Sequence, residues 1–140
     1  MTHPMLADDA ASGWLGVAIE KIDDGHATLS MVLRPEMMNG FGVSHGGMIF
    51  ALADSAFAFA CNPAGSDGSS QTVAAGADIN FLAPSHAGQK LTAVADRRSS
   101  NGRSGLYDVQ VFAESADGAQ QLIAEFRGRS RTIPTRRSTQ

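Results

Sequence analysis

A chain of 140 residues and 14.6 kDa has room for one domain and little more, and its 43% hydrophobic and 18% charged residues are enough for a buried core and exclude wholesale disorder. A net charge of −3 disfavours a basic nucleic-acid binder, and a single cysteine, Cys61, excludes an internal disulfide and a thiolate-rich zinc site. Met1 to Asp9 lacks the basic and apolar segments of a signal peptide, and the longest apolar run, Met48 to Cys61, is too short and too polar to span a bilayer, so the expectation is a soluble cytoplasmic domain.

Residues 1–14 read as an N-terminal arm or short helix, with Pro4 at a helix start and Met5, Leu6, Ala10 and Trp14 on an apolar side. From Leu15 the period becomes two. Leu15, Val17 and Ile19, the turn Asp23-Asp24-Gly25, and Ala27, Leu29, Met31 and Leu33 predict a β-hairpin stopped by Pro35. A glycine-rich loop, Glu36 to Gly47, leads into a helix over Met48 to about Cys61, closed by Asn62-Pro63-Ala64-Gly65. It is apolar nearly all round, as a buried helix is. Four strands follow. Val73, Ala75, Ala77, Ile79 and Phe81 form one face of the first; Leu91, Ala93 and Ala95 open the second; Ser99 to Gly102 is a turn. Tyr107, Val109, Val111 and Ala113 mark the third, and Leu122, Ala124 and Phe126 the fourth, with Glu125, Arg127, Arg129 and Arg131 on its other face. The domain spans 15–133, and 134–140 is a disordered tail. The pattern implies an α+β fold, an antiparallel sheet wrapped around one apolar helix, with part of that helix left to pack against a second subunit.

Asp54 is the most informative residue. It lies mid-helix among Phe50, Ala51, Leu52, Ala53, Phe57 and Ala58, with no Lys or Arg within a helical turn. Burying an ionised carboxylate costs several kcal/mol, and Asp is a poor mid-helix residue, so its presence points to a crevice that needs a carboxylate of raised pKa. A structural hydrogen bond or a subunit rim is the plainer explanation. Ser44-His45-Gly46-Gly47 leads into the same helix, where the first amides lack acceptors and glycines would let a ligand oxygen reach the backbone. The same glycines could simply make a tight turn, and His45 could cap the helix. Cys61 reads as core; His3, His26 and His86 are scattered without metal spacing; and no nucleophile elbow, P-loop or dinucleotide fingerprint is present. Charge is uneven. Residues 1–96 carry ten acids and three bases, residues 97–140 four acids and eight bases, which suggests local contact with an anionic group beside the plainer alternative of a solvated face.

The series Asn39-Gly40, His45-Gly46-Gly47 and Asp54, with Asp78-Ile79-Asn80-Phe81-Leu82 and Pro84, Tyr107-Asp108-Val109 and Phe126-Arg127-Gly128, resembles hotdog-fold acyl-CoA thioesterases, the PaaI-type phenylacetyl-CoA enzymes in particular. The resemblance implies a curved antiparallel sheet around a central helix, a homodimer as the active unit, commonly a homotetramer, and sites at the dimer interface. It implies hydrolysis of an acyl-CoA, arylacetyl or medium-chain, without cofactor or metal. Carried onto this chain, Asp54 is the catalytic carboxylate, Gly46 the backbone donor to the thioester carbonyl, and His45 and Asn39 polar neighbours. Gly47, Phe50, Phe57 and Phe81 would line the substrate site. Arg97, Arg98, Arg103 and Arg127 are candidates for CoA phosphate contacts. Ala58, where some aroyl-CoA relatives are polar, weakens a hydroxyaroyl preference. A hotdog dehydratase and a non-catalytic acyl-CoA binder are the competing expectations.

Overall fold

The computed structural model describes residues 3–65 and 68–135. In chain order it has helices α1 (Pro4–Asp8) and α2 (Ala10–Leu15), strands β1 (Ala18–Asp23) and β2 (His26–Val32), a 3-10 turn (Pro35–Met37), the long helix α3 (Gly46–Cys61), and strands β3 (Ser70–Phe81), β4 (Lys90–Asn101), β5 (Ser104–Glu114) and β6 (Gln120–Pro134). The strands form one antiparallel sheet in the order β1-β2-β4-β5-β6-β3. Since β2 lies near one edge and β3 at the other, the chain between them must cross the whole sheet. α3 makes that crossing and touches all six strands, so the α+β hotdog architecture expected from the resemblance is the one observed.

The period-two pattern sets the core. Ala27, Leu29 and Met31 on β2, Leu91, Ala93 and Ala95 on β4, and Tyr107, Val109, Val111 and Ala113 on β5 are all buried, and α3 meets them with Ile49, Leu52, Ala53, Ala56, Phe57, Phe59 and Ala60. Each fully buried Leu or Phe among these contributes about 1.5–3 kcal/mol. One face of the helix stays uncovered. Gly47 is exposed, and Ala51, Asp54, Ser55 and Ala58 are only half-buried. Among the described residues no helix is long and apolar enough to cross a membrane.

Several boundaries differ from the sequence expectation. The arm is two short helices, and Gly16 ends α2 in the left-handed region at φ 76°, so Leu15 is helical and β1 starts only at Ala18. α3 begins at Gly46, ahead of Met48, because the His45 ring accepts the Gly47 N–H and caps it. β4 runs to Asn101, leaving a tighter turn at Gly102-Arg103 than the four-residue one expected. The expected face of β3 is broken: a bulge between Ala74 and Gly76 places Val73 opposite Arg131, while Ala77, Ile79 and Phe81 pair with Gly128, Phe126 and Ala124 on the helix side. A register shift on β5–β6 likewise buries Ile123, while Leu122 is only half-buried. Pro134 belongs to β6, and the Thr135 N–H donates to the Ser69 carbonyl at 3.0 Å; the rest of the expected tail, 136–140, lies outside the described residues.

Candidate active site

The loop before α3 is held by its own polar groups. The Asn39 side-chain oxygen accepts the N–H groups of Phe41 at 2.9 Å and Val43 at 3.3 Å, and the Ser44 N–H donates to the Ser85 carbonyl at 2.7 Å. Asn39 therefore shapes the loop. His45 donates its backbone N–H to the Met37 carbonyl at 2.9 Å, and its Nδ1 accepts from Gly47 at 2.9 Å. The Gly47 N–H is thus occupied, while the Gly46 N–H has no acceptor among the described residues. Gly46 also needs to be glycine for space: a Cβ there would stand 2.9 Å from the tip of the Phe81 ring. The helix thus opens on one unsatisfied donor at its positive end, with Phe81 beside it.

Asp54 sits two turns further on, half-buried. Among the described residues it forms no hydrogen bond and no ion pair. Burial, and secondarily the negative charge of Asp9 on the arm, pushes its carboxyl above the ordinary carboxylate range. It borders a cavity of about 680 Å³ whose walls include Phe57, Ala58, Asn62, Val73 and Met5. Phe57 is fixed there: its ring packs on Gly128, meets Tyr107 edge-on at 5.4 Å, and lies tilted against Phe126 at 5.8 Å. Phe50 packs against Phe126 away from this cavity. Neither Gly46 nor His45 borders the cavity, and in one chain Gly46 and Asp54 are about 12 Å apart along the helix at 1.5 Å per residue. His45, with Nδ1 engaged as a cap, lies nine residues from Asp54 and is not paired with that carboxylate within one chain.

The nominated arginines divide. Arg127 grips Asp108 through two bonds of 2.7 and 3.0 Å, Arg98 adds a third at 2.8 Å, and Arg97 pairs with Asp24 at 3.1 Å. The Arg127 hydrogen bonds, then those of Arg98, hold the Asp108 carboxyl below its usual range. Arg103 has no side-chain partner among the described residues, and neither do Arg129 and Arg131, which border a smaller cavity with Ser99, Ser100, Asn101 and Ser104. Cys61 is half-buried, and desolvation raises its thiol pKa to about 11, in keeping with a packing role. Among the described residues no group of three or more His, Cys, Asp or Glu is placed to hold a metal ion.

The sequence profile of the Thioesterase superfamily matches residues 41–119. Acyl-coenzyme A thioesterase PaaI of Escherichia coli K12 is 39% identical over 131 residues, covering 94% of this chain and 88% of that one. This chain belongs to the thioesterase superfamily. Among solved members, the E. coli PaaI protein from the phenylacetic acid degradation operon superposes with a TM-score of 0.82 at 37% identity, over 92% of this chain and 88% of that one. A variant of the phenylacetic acid degradation protein PaaI from Thermus thermophilus gives 0.77 at 31%, over 88% and 98%. A thioesterase family protein from Silicibacter pomeroyi has a TM-score of 0.85 at 18% identity, over 93% of each chain, which shows the shared fold alone. Within this thioesterase, Met5, His3 and Asp9 of the arm are site neighbours that the sequence reading does not single out. The one signal for them is His3-Pro4 at a helix start, a cap that ties the arm to whatever lies beneath it.

Proposed function

We propose that this thioesterase hydrolyses an arylacetyl- or medium-chain acyl-CoA in the cytoplasm, in a homodimer whose two sites each take Asp54 from one subunit and the Gly46 N–H from the other. The observation that carries the reading is a pair of groups on one helix that are unmet among the described residues, a half-buried carboxylate without a cation and an amide without an acceptor. Both must lie about 3 Å from atoms of one thioester, and the roughly 12 Å between them in a single chain is too far. Two α3 helices packed antiparallel about a two-fold axis would set the start of one beside the middle of the other, and the uncovered face of α3 is the surface available for that packing. Pairing of two such dimers into a homotetramer belongs to the same proposal.

Asp54 takes a proton from water as hydroxide adds to the carbonyl carbon, or attacks that carbon itself to form a mixed anhydride that water then cleaves. In either course the Gly46 N–H donates to the carbonyl oxygen as negative charge builds on it. The tetrahedral intermediate collapses with cleavage of the C–S bond. CoA leaves as a thiolate, stable enough to need no strong acid. Asn39 and His45 hold the loop, and Phe81 and Phe57 bound the acyl region. At the nucleotide end, Arg103, Arg129 and Arg131, which have no side-chain partner among the described residues, are better placed to meet phosphate than Arg97, Arg98 and Arg127, whose carboxylates a phosphate would have to displace.

The test is to unfold and refold together an Asp54→Asn chain and a Gly46→Leu chain, each inactive alone toward acyl-CoA in a free-thiol assay. A mixed dimer holds one intact and one doubly damaged site, so random pairing restores about a quarter of the wild-type rate per chain. No recovery with mixed dimers demonstrated would refute the shared site. Wild-type protein that releases no thiol from any acyl-CoA would refute the activity.

A further inference from the structure

The N-terminal arm borders the far end of the Asp54 cavity. From Asp54, that cavity follows α3 through Ala58 and Cys61 to the cap residue Asn62, about 12 Å along the helix. The arm is fastened at that end. His3 Nδ1 accepts the Met5 N–H at 3.0 Å, so Nε2 carries the proton and donates to the Asn62 carbonyl at 2.7 Å, while the buried ring stands edge-on to Phe59 at 5.0 Å. Asn62 is itself locked, its carboxamide donating to the carbonyls of Ala58 and Thr72 and accepting the Thr72 N–H. α1 has five residues, too few to hold a helix by themselves, so the position of Met5 depends on this latch. Further along, the arm turns back beside Asp54, close enough for Asp9 to act on its charge. His3, Pro4 and Met5 thus line a space that also reaches the carboxylate, and Met5, partly buried against the core, is the long unbranched residue among them.

We propose that Met5, held by the His3–Asn62 latch, is the stop that sets how long an acyl group this site accepts. The inference rests on the acyl-CoA reading above. An unbranched thioether is a suitable stop because it yields to small differences in shape while still filling volume. Shortening it lengthens the space at the end remote from the reacting carbon; enlarging it shortens that space. Neither change touches the carboxylate or the start of α3.

Binding of non-hydrolysable S-alkyl-CoA thioethers, from ethyl to dodecyl, tests this without requiring chemistry. Met5→Ala should move the tightest-binding chain to longer alkyl groups and Met5→Phe to shorter ones. Affinity at the affected end should change about tenfold, and that of the ethyl compound by less than about twofold. His3→Ala should flatten the length preference even where circular dichroism and melting show a folded protein, and Met5→Leu should retain it. A length profile unchanged in Met5→Ala and Met5→Phe, a parallel shift at every length, or no thioether binding at all would each overturn the proposal. Hydrolysis of the matching thioesters separates the two readings. A profile that moves while no thioester is cleaved keeps the gauge and removes the hydrolase; cleavage with a fixed profile does the reverse.

Discussion

Gly46 and Gly128 face the same steric problem and should give opposite phenotypes when changed to alanine. A Cβ at Gly128 would lie 2.8 Å from two ring carbons of Phe57, and one at Gly46 would lie 2.9 Å from the ring tip of Phe81. Phe57 is 2% exposed and wedged between Tyr107 and Phe126, so its ring cannot retreat without moving both. Overpacking of this kind costs about 1–3 kcal/mol, and the roughly 0.5–1 kcal/mol recovered by replacing a strand glycine offsets only part of it. Phe81 is 52% exposed in the single chain and lacks the wedging that fixes Phe57, so Gly46→Ala should cost less stability than Gly128→Ala. Its damage is chemical: a methyl group beside the free N–H obstructs the thioester carbonyl, and loss of one such donor lowers kcat by about 10²–10³. Urea denaturation with an unchanged m-value and a lower midpoint for Gly128→Ala, set against thiol release for Gly46→Ala, separates the two. A Gly128→Ala protein as stable as wild type would refute the packing argument. A fully active Gly46→Ala enzyme would remove Gly46 from the site.

Two further substitutions test the electrostatics. In Asp54 the folded-state pKa lies above the unfolded one, so the carboxylate subtracts stability as pH rises through that interval. Asp54→Asn should match wild type in acid, exceed it at neutral pH by up to about 1 kcal/mol, and lose hydrolysis by about 10²–10⁴; urea midpoints at both pH values would contradict this if wild type were the more stable at neutrality. Asp108 has the opposite sign: its lowered pKa contributes stability above the ordinary carboxylate range that is lost as pH falls through the folded value. Asp108→Asn should therefore cost about 1 kcal/mol at neutral pH and nothing in strong acid, a difference that thermal melts across pH would detect.

The strand alternation, the buried helix, the His45 cap and the isolation of Asp54 were legible in the sequence because each is local, written in a period or in the mismatch of one residue with its neighbours. The bulge in β3 was not. Val73, Ala75, Ala77, Ile79 and Phe81 alternate without a break, and only pairing with β6 shows that the register slips between Ala74 and Gly76, exchanging the faces. The arginines were opaque for the same reason. Asp108 lies opposite Arg127 and within reach of Arg98 only once β4, β5 and β6 are set side by side, so a count of eight bases could not tell paired guanidiniums from those at 103, 129 and 131, which have no partner among the described residues. The arm was unreadable as part of the site because its contact with Asn62 spans 59 residues of sequence.

Among the described residues, several unmet groups gather on α3 and the loop that leads into it. Several polar residues elsewhere are closed off: Asp108 holds two arginines, His26 bridges Asp96 at 2.6 Å and Thr28 at 3.0 Å, and the Ser55 hydroxyl is satisfied within its own helix by the Ala51 carbonyl. Among the described residues, the unmet groups of α3 are the Asp54 carboxylate and the Gly46 N–H, the Ser44 and Ser85 hydroxyls beside its start are buried without a partner, and one long sheet edge stands open. The two edges differ in a telling way. β1 is six residues long and carries Glu20, Lys21 and Asp23, the charged short strand that resists further pairing. β3 is twelve residues long with a single charge, Asp78, and leaves Val73 and Phe81 exposed. A lone subunit with that edge would be prone to aggregate, and a second copy laid antiparallel along β3 removes the hazard by continuing the sheet. The same operation would bring a second α3 alongside the first, where a donor without an acceptor and a carboxylate without a cation can meet around one thioester. An edge, an amide and a carboxylate that each look like a defect in one chain would share a single remedy in the homodimer proposed above, and local rules are broken together in this way where function requires it.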